Sequence, residues 1–357
     1  MAHLNARRKR RAVLWIGLIL LALAAAACAS KAPQDTLKPV GPVARQENNL
    51  FTPVFWIAAG VFVLVEGGIL YIVTRFRRRS DADQPVQIHG NKRLEILWTI
   101  LPAALLAGIA IPVVLTIFDV AQKPVGSDVV HINLTAHQWW WQYEYTDFKD
   151  PKGQTIQTAN ELVIPTGRWV YLTMTSADVI HSYWVPKLSG KQDVIPGRIT
   201  HLKLRSDVPG VFNGQCAEFC ALSHANMRLK VIAQSPADFD AWVQNEIRPA
   251  APPTDQIVMQ RLQQTCFACH NVGGVPGNGG ARVGPDLTHF ASRTSFAGSM
   301  LEMTPANIAL WLKDPPGIKP GVPIDLTGKE KYGTMMPNYH LSNDEIQALV
   351  AYLSSLK

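Results

Sequence analysis

Two short runs in this chain concentrate residues that hold metals. The first is CAEFCALSHANM, residues 216–227: two thiols four positions apart, then His224 and Met227. A further histidine, His181, lies upstream in the strand-like run VIHSYWV. Thiolate and imidazole suit copper, and a thioether suits a weak axial position. A mononuclear blue copper site takes one cysteine, two histidines and one axial ligand, so this set has a cysteine to spare. Two thiolates can instead bridge two copper ions. Each ion then takes one histidine, with Met227 on one metal and a backbone carbonyl, that of Glu218, on the other. One electron shared over two metals spreads the charge, so the geometry changes little on reduction. Two other readings use the same residues. An oxidising compartment favours a Cys216–Cys220 disulfide, and a zinc site would use the thiols and imidazoles but has no use for Met227.

The second run is CFACH, residues 266–270. C-x-x-C-H reads as c-type heme attachment: Cys266 and Cys269 form thioethers to the porphyrin and His270 ligates the iron. A redox dithiol or half of a zinc site are the other readings, but no second cysteine pair follows. The preceding DQIVMQRLQQT looks like the helix that opens such domains. Downstream, GPDL (284–287) resembles the cytochrome c loop in which a proline carbonyl, here that of Pro285, accepts the ring N–H of the heme histidine. Such a bond fixes the ring and raises its basicity. The far ligand should be a methionine, since Met/His ligation raises the potential of cytochromes c. Met336, directly before Pro337, fits better than Met335, and His340 is a weaker competitor. NDEIQALVAYLSSL carries Ile346, Leu349, Val350 and Leu353 at the spacing of a helix with one buried face.

The rest of the chain must carry and position these two sites. Formal net charge is +7, but Arg7, Arg8, Lys9, Arg10 and Arg11 supply five of those positives, and without residues 1–27 the remainder is 7 − 5 = +2. A nucleic-acid-binding protein holds its charge on the folded face, so nucleic acid is not an expected partner. Residues 1–27 have instead the layout of a secretory signal, with a charged start, an apolar middle and small residues before Cys28. Cys28 resembles the acceptor of a bacterial lipoprotein; ordinary cleavage or an uncleaved anchor are the alternatives. Residues 50–74 and 94–118 are each long and apolar enough to span a bilayer. The basic loop RFRRRS between them marks the cytoplasmic side, so everything after Asp119 is expected outside. Glu66, inside the first span, should face protein rather than lipid.

From residue 125 the runs VVHINLTA, ELVIP, RWVYLTMTS, VIHSYWV, THLKLRS, GVFNGQC and MRLKVIA predict an antiparallel sandwich or barrel. RPAAPPT, residues 248–254, predicts a short stiff linker. The expected organisation is a signal peptide (1–27, of possible lipoprotein type), an outer segment (28–49), a transmembrane helical hairpin (50–118), a copper domain (119–247), the linker, and a small all-α cytochrome c domain (255–357).

Over residues 48–235 the chain resembles the cytochrome c oxidase subunit II family, whose dinuclear copper (CuA) motif matches 216–227. HSYWVPKLSGKQDVIPGR (181–198) is similar to the strand and loop that supply the first histidine. AHQWWWQYEY (136–145) resembles the aromatic cluster beside the copper, and LEILWTILPA (94–103) the start of the second membrane helix. The resemblance implies a cupredoxin-like domain in which His181, Cys216, Cys220, His224, Met227 and the Glu218 carbonyl hold the copper pair. It further implies that the Glu218 carboxylate reaches a magnesium or manganese ion shared with subunit I. Trp139 matches the tryptophan through which electrons arrive; aromatic runs are otherwise core or interface residues. Glu95 falls where many relatives have a glutamate at the mouth of a proton channel, the alternative being an ordinary interfacial carboxylate.

With a fused cytochrome c, the resemblance implies a relay in the inner membrane of a bacterium, on its periplasmic side. Heme c would accept electrons from a bc-type complex or a small cytochrome c, and the copper pair would pass them to subunit I. There O2 would be reduced to water with proton pumping, and subunit III is a further expected partner. A nitric oxide reductase built on the same module, or a free-standing anchored carrier, are the alternatives. The two spans and Glu66 and Glu95 argue against the carrier.

Overall fold

The computed structural model of the chain describes residues 14–23, 32–78, 80, 87, 89–278, 283–321 and 335–357. A short apolar helix α1 (Leu14–Leu23) covers the middle of the expected signal. Helices α2 (Pro42–Arg75) and α3 (Lys92–Ala121) pack as a hairpin. Their apolar stretches have no residue buried within the chain. An all-apolar helix satisfies its backbone internally and can leave its side chains to lipid. Asn91 caps α3, its side-chain oxygen accepting from the N–H groups of Arg93 and Leu94.

Helix α2 begins upstream of the expected start at 50, because its first turns pack on the outer domain. Val43 and Ala44 are buried there, and the N–H groups of Val40 and Gly41 both donate to Lys187 O at 2.8 Å. Gly41 lies so close that a Cβ would sit 2.2 Å from Leu188 O. At the end of the other span, Lys203 Nζ donates to Asp119 O at 2.6 Å. Both spans are therefore fastened to the domain above them.

That domain has two five-stranded sheets, ordered β3-β2-β1-β5-β8 and β4-β10-β9-β6-β7. The strands are β1 (Val130–His137), β2 (Trp140–Lys149), β3 (Thr155–Ala159), β4 (Glu161–Pro165), β5 (Val170–Ser176), β6 (His181–Trp184), β7 (Gln192–Val194), β8 (Thr200–Leu204), β9 (Gly210–Cys216) and β10 (Arg228–Gln234). Most pairs are antiparallel, but β1 with β5 and β4 with β10 run parallel. The chain crosses between sheets several times, so non-consecutive strands meet in either direction. Inward positions alternate as a half-buried sheet requires: Val170, Leu172 and Met174 of β5 are buried, with Tyr171 and Thr173 between them less so. Leu134, Trp141, Tyr143, Tyr183 and Leu229 fill the space between the sheets. Strand β2 emerges from what reads as an aromatic cluster, because three successive tryptophans hide the alternation. Helix α4 (Pro236–Glu246), capped by Ser235, closes one end with Phe239 and Val243.

The C-terminal domain packs α5 (Gln256–Gln264), α6 (Pro305–Lys313), α7 (Pro315–Ile318) and α8 (Asn343–Ser355) around a separate core that includes Leu262, Phe267, Phe290, Ile308 and Leu349. Ile346, Leu349 and Leu353 face that core as their spacing predicts. One small strand pair, β11 (Ser295–Phe296) with β12 (Leu301–Glu302), departs from an all-α reading. The proline-rich connection lies against this domain: Ala250 N donates to Gly273 O at 2.8 Å and Tyr352 OH to Ala251 O at 3.0 Å.

Candidate metal and heme sites

The first site forms where three strand ends meet. Strand β9 ends on Cys216, β10 starts just after Met227, and β6 starts on His181. The β6–β9 pairing sets Tyr183 opposite Cys216 and so brings His181 beside the loop. Ala221 adopts a left-handed φ of 79°, which turns the loop back so that His224 returns to the sulfurs. Cys216 Sγ lies 3.8 Å from Cys220 Sγ and 3.8 Å from His181 Nδ1; Cys220 Sγ lies 3.6 Å from His224 Nδ1 and 3.9 Å from Met227 Sδ. Glu218 O is 3.2 Å from Cys216 Sγ. A disulfide would need about 2.05 Å between the sulfurs, and both cysteines are free. All six predicted donors are thus gathered at one place. Each histidine turns Nδ1 to a sulfur, and His181 Nε2 is held by Asp178 Oδ1 at 2.8 Å.

The electrostatics favour an anionic sulfur at Cys216. Cys216 and Cys220 share a proton: their hydrogen bond pulls the Cys216 thiol well down, with His181 adding to the effect, and pushes Cys220 up. Burial pulls the His181 imidazole down, but the Asp178 carboxylate and the Cys216 sulfur outweigh it and leave the net shift upward. Asp178 is not visible as a partner in the motif. It also accepts from the backbone of Gln138 and Val179 at 2.6 and 2.7 Å, so one carboxylate braces both the histidine and the strand end bearing Trp139.

The second site is a cavity at the junction of the two domains. Cys266, Cys269, His270, Met335 and Met336 line it from one side, Trp139 and Trp140 from the other. His270 Nδ1 is 2.7 Å from Pro285 O, as the GPDL loop predicts, which leaves Nε2 for iron. Gly284 permits this approach, since a Cβ there would sit 2.6 Å from the ring. Trp311 Nε1 donates to Met336 Sδ at 3.2 Å, so Met336 is the methionine with an oriented thioether. His340 is exposed and turned by its own φ of 50°. The chemistry of the lining fits a heme: Trp140 Nε1 and Arg293 Nε are buried without a hydrogen-bond partner among the described residues, and both residues line the cavity. Heme propionates are acceptors of the kind these donors lack.

Trp139 joins the two sites. Its ring lines the cavity, while its Nε1 donates at 2.7 Å to the carbonyl of Cys220. Gln138 Nε2 donates to the same carbonyl at 3.0 Å. Trp139 is only 3% exposed, because the cytochrome domain covers it: Lys319 Nζ donates to its carbonyl, and Gly321 lies against its ring. The other predicted residues lie apart. Glu95 is in the first turn of α3, roughly 40 Å of helix from the outer domain. Glu66 is in the last third of α2, nine residues before its end at Arg75. Cys28 falls outside the described residues.

These features define a membrane-anchored electron-transfer protein with a cupredoxin-like domain and a cytochrome c domain. Residues 35–115 match the transmembrane domain of cytochrome c oxidase subunit II, 130–234 its periplasmic domain, and 259–357 the cytochrome c family. Those domains imply copper and heme c. Cytochrome c oxidase subunit 2 of Alkalihalophilus pseudofirmus is 36% identical over 354 residues, covering 96% of each chain. That of Bacillus sp. PS3 is 35% identical, covering 95% of each, and that of Bacillus subtilis 33%, covering 90% of this chain and 92% of its own. The chain belongs to the cytochrome c oxidase subunit II family, in a form that carries a fused cytochrome c.

Proposed function

We propose that the chain feeds electrons into a respiratory oxidase through two sites on one side of a bacterial inner membrane. When bound, heme c and a dinuclear copper centre each carry one electron at a time, from a bc-type complex or small cytochrome c towards subunit I, where O2 is reduced to water with proton pumping. Cys216, Cys220, His181, His224, Met227 and the Glu218 carbonyl would hold the copper pair, the two thiolates and two imidazoles as its strong donors and the thioether and carbonyl as its weak ones. Cys266 and Cys269 would tether the heme, and His270 and Met336 would ligate its iron. The observation that carries this reading is Trp139, one side chain that lines the heme cavity and hydrogen-bonds the backbone of a copper-site cysteine.

The surroundings support the partners. Phe219 and Leu222, in the copper loop, are 77% and 69% exposed, an apolar face suited to subunit I. The exposed Glu218 carboxylate is available to a magnesium or manganese ion at that boundary. Glu95, near the basic end of the hairpin, is the proposed mouth of a proton channel into subunit I. Subunit III completes the assembly, and Cys28 is the proposed lipid acceptor.

Metal analysis of the purified complex should give two coppers and one covalent heme c per chain. Cys216→Ser or Cys220→Ser should abolish near-infrared absorption of the mixed-valence pair and leave the heme c bands. A single copper per chain would end the bridged-pair reading.

A further inference from the structure

The two domains are joined by more than their linker. Glu161, the first residue of β4, carries a carboxylate in a position only 2% exposed. Its partners come from the other domain: Thr294 N at 2.8 Å, Thr294 Oγ1 at 2.6 Å and Ser295 Oγ at 2.6 Å. Lys230, paired with Glu161 in the β10–β4 register, sits 3.8 Å from the carboxylate and donates to Thr294 Oγ1 at 3.0 Å. A buried carboxylate is stable only when paired and hydrogen-bonded, and here docking supplies three of its hydrogen bonds. The segment it grips is also the wall of the heme cavity: Arg293, Phe296, Ala297 and Gly298 line it. Beyond the grip the chain makes a left-handed turn at Ala297, Gly298 and Ser299. That turn is seated on the copper domain, with Arg228 N donating to Gly298 O at 3.1 Å, and Lys319, which donates to Ala297 O at 3.2 Å within the cytochrome domain, also donates across the junction to Trp139 O.

We propose that Glu161 is a positioning residue that latches the cytochrome domain onto the copper domain, holding the heme cavity against Trp139 as one fixed unit. The idea rests on the reading that electrons pass from that cavity to the copper site. It goes beyond it in making the transfer distance a property of a lock rather than of a swinging tether. A carboxylate accepting charge-assisted bonds from three donors is stronger than neutral contacts of the same number. Its removal leaves three donors unsatisfied, which opens the interface by at least about tenfold.

The test uses the full complex with Glu161→Ala, Glu161→Gln, and Thr294→Val with Ser295→Ala on the opposite side. Hydrogen–deuterium exchange should rise at least about tenfold in peptides covering 294–298 and 139–142 for Glu161→Ala. Electron transfer from photoreduced heme to copper should slow by a similar factor and become dependent on solvent viscosity, with heme and copper absorption unchanged. The Thr294/Ser295 variant should reproduce this, and Glu161→Gln should fall between. Wild-type exchange and viscosity-independent transfer in Glu161→Ala would overturn the latch. So would a Glu161→Ala protein that loses its copper bands while the Thr294/Ser295 variant behaves as wild type. Were the wild-type complex to lack the copper pair, the functional reading would fail, while the exchange comparison would still decide the latch.

Discussion

At the scale of single residues, Asp178 decides how His181 presents itself. Its carboxylate takes one ring nitrogen and leaves Nδ1 facing Cys216. Asp178→Asn keeps the shape but weakens this hold, so copper affinity should drop by about 10- to 100-fold, measured by competition with a chelator of known strength. The candidate cluster Cys216, Cys220, His224 and Met227 was legible because its residue types suit copper and it spans only twelve positions, whereas His181 lies 35 positions before Cys216 and joins it only through the β6–β9 pairing. Asp178 was not: an aspartate three residues before a histidine has many uses, and only the β6 geometry turns it onto the ring. Glu161 was less visible still, since its partners are Thr294 and Ser295, far along the chain. Met336 shows the intermediate case. Its place before Pro337 favours it over Met335, and the indole that orients it, Trp311, carries no local signal.

At the scale of elements, helix α8 shows how local rules and long-range packing combine. Ser342 and Glu345 form a reciprocal capping box, and Ile346, Leu349 and Leu353 bury one face. Glu345 also receives Arg261 Nε at 2.6 Å, tying α8 to α5 in front of Cys266 and Cys269. Ser342→Ala removes one half of the box and should cost about 1 kcal/mol. Chemical denaturation followed through the heme Soret band should report it. The sandwich strands with clear alternation, such as β1 and β5, were legible from their residues. Strand β2 was masked by its tryptophans, and the start of α2 was displaced because residues 42–49, mostly polar, are held helical by packing Val43 and Ala44 on the outer domain rather than by lipid. Neither the parallel pairings nor the sheet order follows from any strand alone.

At the scale of the whole molecule, the junction between domains carries a titratable group. Burial pushes the Lys319 ammonium down to about 7, with the Cys220 sulfur opposing the shift. An undocked lysine titrates near ~10.4. Between these values the undocked form binds more protons than the docked one, so raising pH favours docking across that window. Below about 7 both forms are protonated and the dependence vanishes. Exchange rates at 294–298, corrected for intrinsic chemistry, should therefore slow as pH rises from 7 to 9 and level off below 7. Lys319→Met should abolish the slope.

The burial of Trp139 beneath Lys319 and Gly321 has a consequence for how such an oxidase is brought into service. A protein-sized carrier arriving from solution finds the indole already covered by the chain's own domain. Copper loading alone would then leave the proposed path without its donor, and attachment of heme at CFACH would be the step that connects it.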